Sequence, residues 1–291
     1  MTSPKNTGQT KQQPNEPETT GHVWDGIEEY NNPLPRWWVW TFYVTIVWGI
    51  AYAVAYPAWP LISGATPGML GYSSRGAVAA EIDRYAEANR PLEEALVAAE
   101  LTEIEANAEL ASFARNGGAA VFRTRCAQCH GAGAAGSKGY PNLLDDDWLW
   151  GGDLTAIEET IQHGIRVESD DDTRFSEMPA FDEMLSDEEI AAVTGHVLSL
   201  SNASGGVTSE MGALAYEDNC ASCHGDDGKG GREFGAPNLA DAIWLFGGDA
   251  DSVEATIRHS RYGVMPAWSQ QLSEAQIRQV AIYIHGLGGG E

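Results

Sequence analysis

One apolar run, from Trp37 to Tyr56, dominates the hydrophobic pattern of the chain and contains no charged side chain. At about 1.5 Å rise per residue, a helix of this length spans about 30 Å, one hydrocarbon core. Tryptophan and tyrosine cluster at both ends of the run, as they do at membrane interfaces. The pattern therefore predicts a transmembrane helix at 37–56.

A cleaved signal peptide is the alternative, since Ala53 and Ala55 fit a small-x-small cleavage pattern. However, 36 residues precede the run, and their three basic side chains are outnumbered by five acidic ones. Arg36 lies at the N-terminal edge, and the next basic residue after the run is Arg75. The long, acidic preceding segment and the length of the run favour an uncleaved anchor, and the positive-inside bias favours a cytoplasmic N-terminus.

The segments around the anchor are polar or irregular. Residues 1 to about 20 lack large apolar side chains, which predicts disorder, and residues 1–36 form the predicted cytoplasmic tail. Residues 57–107 begin with a segment rich in proline and glycine and continue with an alanine- and glutamate-rich helical spacer. We expect this spacer to pack on the domain that follows it or on a partner.

The rest of the chain is a repeat, with copies at 108–201 and 207–291. Each copy ends in an amphipathic helical pattern, such as Ser273 to Gly286 in the second. The landmarks occur in identical order: Phe122 matches Tyr216, Pro141 matches Pro237, Trp148 matches Trp244, Gly151 matches Gly247, His163 matches His259, and Met178 matches Met265.

Length and charge narrow the function. The 291 residues leave room for two small domains besides the tail and the anchor. A formal net charge of -25, from 42 acidic and 17 basic side chains, argues against nucleic acid or an anionic membrane surface as the main partner. A basic protein partner fits this charge better.

All four cysteines lie in two pentads, "CAQCH" and "CASCH". This spacing is the signature of covalent haem attachment, in which two thiols bind the porphyrin edge and the following histidine binds the iron. The alternative is a zinc or redox Cys-x-x-Cys site, which leaves the repeated histidine unexplained. We therefore predict two covalently bound haem c groups, held by Cys126, Cys129, His130, Cys220, Cys223 and His224. Such attachment occurs outside the bacterial cytoplasmic membrane, which places both domains in the periplasm.

An electron-transfer haem needs a second axial ligand, and a methionine before the final helix is the usual one. Met178 and Met265 occupy this place, each followed by proline, whereas Met184 and Met211 are assigned to core packing. His163 and His259 are the rival ligands and otherwise structural residues. Each methionine serves its own pentad by default, but two abutting repeats could exchange ligand loops, and the sequence leaves both arrangements open.

The predicted fold is mainly α: one N-terminal transmembrane helix and two tandem class I cytochrome c domains, in which a few helices wrap the haem. A first helix carries Gly118 and Phe122 in one copy, and Gly212 and Tyr216 in the other. We expect Asn142 and Asn238 to set the loop on the histidine side. Trp148 and Trp244 pack by the haem edge or in the plain core.

The two copies differ in the length of the segment between the histidine and the methionine, which is 15 residues from His163 to Met178 and six from His259 to Met265. The extra acidic loop, "VESDDDTRFSE", is either a solvated loop or a docking edge for a basic cytochrome c.

The segment "GHVWDGIEEYNNPLPRWW", which runs into the anchor, followed by "YPAWPL" and two Cys-x-x-Cys-His domains, resembles the dihaem subunit III of cbb-type cytochrome c oxidase. The resemblance covers the chain from about Gly21 to Leu287. It implies a subunit that accepts electrons from a soluble or membrane-bound cytochrome c and passes them to a monohaem subunit. That subunit feeds the haem-copper centre where oxygen is reduced with proton pumping.

By position, the resemblance carries over the eight haem residues named above, the pentad cysteines and histidines and the two methionines. One departure is that the last helix carries aromatic Tyr283 in the second copy but His196 in the first. The rival functions are a free membrane-anchored shuttle, a dihaem peroxidase and a haem subunit of a periplasmic dehydrogenase. Two equivalent Met-Pro ligands argue against the peroxidase, because they leave no iron open to peroxide.

Overall fold

The computed structural model describes residues 17–201, 203 and 205–290. These residues form two compact units that divide between Ala86 and Glu87. The predicted disorder of residues 1–16, and residues 202, 204 and 291 within or beside the predicted domains, lie outside the described part. Thr19 and Thr20, at the end of the predicted disordered stretch, already belong to a strand.

The first unit begins with a hairpin of β1 (Thr19–Trp24) and β2 (Ile27–Tyr30), which pair antiparallel. Asp25 and Gly26 form its turn with φ of 50° and 86°, the left-handed pair that a type I′ turn requires. An Asp-Gly dipeptide between apolar residues favours such a hairpin. Two short strands, β3 (Pro60–Leu61) and β4 (Gly64–Ala65), form a second hairpin after the anchor helix.

The apolar run folds as α1 (Arg36–Ala55), one residue earlier than predicted. Pro35 precedes the helix and the Tyr56 N–H donates to the carbonyl of Tyr52. The side chains along α1 are not buried against the protein, which fits a helix whose surroundings are lipid. Tyr52 stacks between the rings of Trp48 and Tyr56 near the C-terminal end. The predicted membrane-spanning helix is therefore present.

The other regular elements of the described chain are helices, joined by long loops. Their bounds are α2 (Ser74–Ala98), a 3₁₀ helix (Leu101–Ala106), α3 (Ala108–Val121), a π-helical turn (Phe122–Cys126), α4 (Ala127–His130), α5 (Leu154–His163), α6 (Asp187–Leu200), α7 (Glu210–Asn219), α8 (Ala221–His224), α9 (Ala250–His259) and α10 (Glu274–His285). Ser186 and Ser273 cap α6 and α10 with matching capping boxes, which explains the sharp start of each.

Two of the three buried hydrophobic clusters, called here the first and the second core, do not follow the order of the repeats. The first core combines α3 and α5 of the first copy with α10 of the second, and it includes Phe122, Ile161 and Val280. The second core combines α7 and α9 of the second copy with α6 of the first, and it includes Tyr216 and Ile190. The predicted segments 108–201 and 207–291 therefore exchange their last helices.

Two glycines allow these helices to cross closely. A Cβ atom at Gly118 in α3 would overlap the carbonyl oxygen of Gln279 in α10. A Cβ atom at Gly212 in α7 would overlap the carbonyl oxygen of Ala192 in α6. Gln279 and Ala192 match in the repeat, so the same crossing is built twice, each time between copies.

A short connection explains why the exchange forms. The chain runs from the end of α6 at Leu200 to the start of α7 at Glu210, and consecutive elements joined by a short loop usually pack side by side. The Val207 N–H donates to the carbonyl of Gly195 at 3.0 Å, which holds this connection along α6. Once α6 packs on α7, α3 is left to pair with α10.

The end of the predicted spacer packs on the helices of the first core, one of the two alternatives expected from the sequence. Leu96, Leu101 and Ile104 are buried in one cluster with residues of α3, α5 and α10. Arg278 of α10 donates to the carbonyls of Leu96 and Ala99 at 3.0 and 2.7 Å. The end of α2 and the 3₁₀ helix therefore brace the first core.

Candidate haem-binding sites

Each pentad ends a first helix and forms one further helical turn. Cys126 closes the π-helical turn and begins α4, while Cys220 caps α7 and begins α8. The three-residue spacing places both sulfurs of a pentad on the same face of its turn. The four cysteines are free thiols, so the spacing is not used for a disulfide.

The two pentad histidines have a fixed tautomer. His130 Nδ1 lies 3.0 Å from the carbonyl oxygen of Pro141, and His224 Nδ1 lies 3.1 Å from that of Pro237. A carbonyl only accepts, so Nδ1 carries the proton and Nε2 keeps its lone pair for a metal. Burial lowers the pKa of both imidazoles, which also favours the neutral ligand form.

The contacts from these proline carbonyls were not predicted from the sequence, in which the "PNL" segments indicated a role for the asparagines only. Asn142 Oδ1 accepts from the Leu144 N–H at 3.0 Å, and Asn238 Oδ1 accepts from the Ala240 N–H at 2.9 Å. The asparagines thus fix the loop, as expected, and the preceding residue makes the contact to the histidine. The signal in the sequence for this contact is the "PN" dipeptide that recurs after each pentad.

The thiols differ from those of a zinc site. Burial, with a smaller contribution from the neighbouring cysteine, raises the pKa of Cys126 and of Cys220 to about 11, so both thiols are neutral in the folded chain. Within the described residues, the cysteine and histidine atoms of a pentad also do not converge within 4.8 Å as three ligands of one ion would. The pentads therefore fit attachment to a larger group better than direct ion binding.

A cavity of about 520 Å³ opens beside the second pentad. Cys220, Cys223 and His224 line it together with Met178 from the first repeat. Its wall includes apolar side chains of the second core: Phe181, Val197, Leu239, Trp244, Val253 and Ile257. Met178 thus lies with the pentad of the other repeat.

The first pentad shows the corresponding arrangement, with the methionine of the second repeat. Met265 packs on the first core together with Cys126 and Phe122. The Met265 N–H donates to the carbonyl of Ile165 at 3.1 Å, and the Ile165 N–H donates back at 2.9 Å. Of the two arrangements that the sequence left open, the packing is that of exchanged methionine loops.

The same hydrogen bonds tie both methionine loops across the repeats. Trp268, three residues after Met265, donates its N–H to the carbonyl of Ile161 at 3.0 Å. Phe181, three residues after Met178, donates to the carbonyl of Ile257 at 3.1 Å. The loops are therefore held by the helix α5 or α9 that belongs to the other copy.

The remaining candidates take structural positions. His163 Nδ1 lies 3.0 Å from Asp170, and His259 is exposed at the end of α9. Trp148 packs on the first core and donates its indole N–H to the carbonyl of Gly289, while Trp244 lines the cavity. The acidic loop is anchored at Arg174, which donates to Thr160 and Glu159 at 2.7 and 2.6 Å.

Core packing of Met184 and Met211 was a wrong prediction. Met184 is 61% exposed and Met211 is 50% exposed. Met184 lies in the turn before α6, and Met211 lies in the first turn of α7. Neither side chain belongs to a buried cluster of the described residues.

The chain matches two family models. The "N-terminal domain of cytochrome oxidase-cbb3, FixP" covers residues 16–63, and "Cytochrome C oxidase, cbb3-type, subunit III" covers residues 113–197 and 209–284. The chain belongs to the cbb3-type cytochrome c oxidase subunit III family. The family match confirms the tandem cytochrome c domains, and with α1 it makes the protein a membrane-anchored oxidase subunit in electron transport.

Its relatives agree over nearly their whole length. The subunit CcoP of a cbb3-type cytochrome c oxidase from Cereibacter sphaeroides is 58% identical over 97% of this chain and 98% of its own. CcoP of Rhodobacter capsulatus is 54% identical over 95% and 97%. FixP of Sinorhizobium medicae is 52% identical over 94% and 95%. Other subunits of the oxidase are therefore partners of this family member, and haem c is its cofactor.

Proposed function

We propose that this chain is the electron-entry subunit of a proton-pumping cbb3-type oxidase and carries two covalently bound haem c groups. It accepts electrons from a donor cytochrome c and passes them to the monohaem subunit, which feeds the oxygen-reducing haem-copper centre. The observation that carries the proposal is the duplicated site: two pentads, each with a free imidazole Nε2 and a methionine loop, in one compact unit.

The residues present fit haem c. The cysteine pairs supply two thiols on one face of a turn, the cavity beside the second pentad is largely apolar, and imidazole and thioether are a known ligand pair for this iron. When bound, each haem c supplies a reversible one-electron iron couple. Cys126, Cys129 and His130 would hold one group, with Met265 as the second ligand.

Cys220, Cys223 and His224 would hold the other group, with Met178 as the second ligand. A thioether ligand favours a higher reduction potential than a second imidazole would. The hydrogen bonds from the histidines to Pro141 and Pro237 orient the rings, and the apolar walls exclude water. The chain's own contribution is therefore to position and tune, with no bond broken in a substrate.

The proposed orientation places the N-terminus in the cytoplasm and both sites in the periplasm. It rests on the attachment chemistry of the pentads and on Arg36 at the N-terminal edge of α1. The hairpin before α1 exposes Val23, Trp24 and Ile27 and is proposed to dock on the oxidase at the cytoplasmic surface.

The test is to extract the tagged chain from its native membranes in mild detergent and to record reduced-minus-oxidised spectra and oxygen uptake. We expect haem b, copper and cyanide-sensitive oxygen consumption to copurify, with two c haems per chain. Recovery of c-type haem alone, without oxygen consumption, would instead indicate a free electron shuttle. A single c haem per chain would contradict the duplicated site.

A further inference from the structure

Arg166 lies where the two methionine loops come together. It follows Ile165, which exchanges two backbone hydrogen bonds with Met265. Its own N–H donates to the carbonyl of Arg174 at 3.0 Å, on the segment that leads to Met178. Its φ of 57° is left-handed, which is uncommon for a residue with a long side chain. The surrounding contacts therefore hold the backbone here in a costly conformation.

The guanidinium of Arg166 donates to both loops. Nε lies 2.5 Å from the carbonyl oxygen of Ser176, and Nη1 lies 3.0 Å from that of Gly263. Ser176 and Gly263 each stand two residues before a methionine and match in the repeat. One rigid, planar group therefore bonds the same position of both ligand loops.

Aromatic rings and partial burial restrict the side chain further. The guanidinium carbon lies 5.3 Å from the ring centre of Tyr262 and 6.0 Å from that of Trp150. The side chain also lines the cavity that holds Met178. Burial lowers the pKa of Arg166 while the Glu177 carboxylate opposes this, and arginine stays charged at neutral pH. Both hydrogen bonds are thus charge-assisted.

The repeat contains this arginine once. The alignment that pairs His163 with His259 pairs Arg166 with Tyr262, the residue whose ring lies against the guanidinium. A residue that served a single loop would need a counterpart in the other copy. The asymmetry is what a contact shared by both loops requires.

We propose that Arg166 is a positioning residue that fixes both methionine loops at once, so that methionine ligation at the two haem sites depends on one side chain. This inference rests on the proposed function, because it presumes that Met178 and Met265 bind the irons. It extends that function by naming the residue that makes the two sites interdependent.

The experiment uses the purified oxidase complex carrying Arg166→Gln, Arg166→Lys or the wild-type chain. Ferric haem with a methionine sulfur ligand has a weak charge-transfer band in the far red, and near-infrared magnetic circular dichroism reports the axial ligand pair. Potentiometric titration follows both c haems. In Arg166→Gln we expect the methionine signals of both haems to fall to a minor fraction and both potentials to drop.

Arg166→Lys keeps the positive charge but offers a single donor centre in place of the fork, so we expect intermediate loss at both haems. Arg258→Gln is the matched control. Arg258 binds Asp182 in the turn before α6, Asp187 at the start of α6 and Glu254 on α9. We expect this change to leave the haem served by Met265 unaltered.

Loss at one haem alone, or unchanged signals in Arg166→Gln, would overturn the proposal. If Arg166→Gln does not assemble, Arg166→Lys decides: parallel loss at both haems supports the proposal, and wild-type signals overturn it. Absence of methionine signals from the wild-type complex would instead refute the ligation on which the proposal rests. The two failures are therefore distinguishable.

Discussion

The two halves of the haem-binding unit are the first core with the first pentad and the second core with the second pentad. They have the same helix arrangement but different side chains at their helix crossings. In the first half, Phe122 packs on Tyr283 with ring centres 5.5 Å apart. In the second, Tyr216 packs on His196 at 5.1 Å. The order of the repeats assigns Tyr283 to the same domain as Tyr216, and His196 to the same domain as Phe122. In the structure, each last helix packs instead on the first helix of the other copy. With the exchange, both crossings contain a ring pair.

The halves also differ in what braces the first helix. The Tyr216 hydroxyl donates to the carbonyl of Gly225 at 2.8 Å and thus ties α7 to the loop after the pentad. Phe122 has no hydroxyl, and the helices of the first core instead bury the spacer residues Leu96 and Ile104 in an adjoining cluster. Equivalent helices are therefore stabilised by a polar contact in one half and by added apolar burial in the other.

Removing the two thiols of one pentad should produce the largest difference between the two halves. The double change Cys126→Ala and Cys129→Ala, or Cys220→Ala and Cys223→Ala, should reduce covalently bound haem from two groups to one per chain. Pyridine haemochrome spectra of the denatured, purified chain measure this number. Loss of both groups from either variant would show that the halves do not load independently.

Methionine substitution sharpens the comparison by testing the exchange. In a chain that keeps only the first pentad, Met265→Ala should abolish the methionine signal of the remaining haem and lower its potential, because the thioether ligand is lost. Met178→Ala in the same chain is the control and should leave that signal in place. The reverse result would mean that each methionine serves its own repeat.

The helix crossings predict similar losses in both halves. Gly118→Ala and Gly212→Ala each force a methyl group into a backbone carbonyl, and overpacking of this kind costs about 1–3 kcal/mol. Thermal unfolding of the detergent-solubilised protein, followed by haem absorbance, measures the change. Gly133→Ala is the control, since its Cβ would meet open space. An unchanged melting temperature in Gly118→Ala would contradict the α3–α10 pairing.

The smallest expected difference is in pH dependence. Burial lowers the pKa of His196, so this imidazole binds a proton less readily in the folded protein than in the unfolded chain, where histidine has a pKa of about 6.5. This contribution to stability is complete above that pH and is lost as pH falls from there through the lowered pKa of His196 in the folded state. Tyr216, with a pKa raised to about 12 mainly by burial, stays neutral.

Acidification from pH 7 to 5 should therefore weaken the α6–α7 crossing more than the α3–α10 crossing, where Tyr283 replaces the imidazole. Hydrogen exchange of amides in α7 and α3 follows the two crossings separately. His196→Phe should remove the difference in pH dependence between the two crossings. If amide exchange in α7 responded to pH in this variant as it does in the wild-type protein, His196 would be excluded as the source of the difference.

Local patterns in the sequence determined much of this protein. The apolar run fixed α1 to within one residue, the repeat located both pentads and both methionine loops, and Ser273 to Gly286 gave the capped limits of α10. These features depend on neighbouring residues, through hydropathy, helix capping and motif spacing. The Asp25-Gly26 turn is equally local, because its left-handed backbone is the one that an Asp-Gly dipeptide favours.

Only the tertiary structure decided which pieces belong together. Two equivalent last helices and two equivalent methionine loops fit either first helix equally well by pattern, because the repeat makes their contact surfaces alike. The short connection from α6 to α7, and the crossings at Gly118 and Gly212, select the exchanged pairing. Arg166 shows the same limit, since nothing local in the sequence indicates that two carbonyls 87 residues apart in the repeat, those of Ser176 and Gly263, meet at one guanidinium.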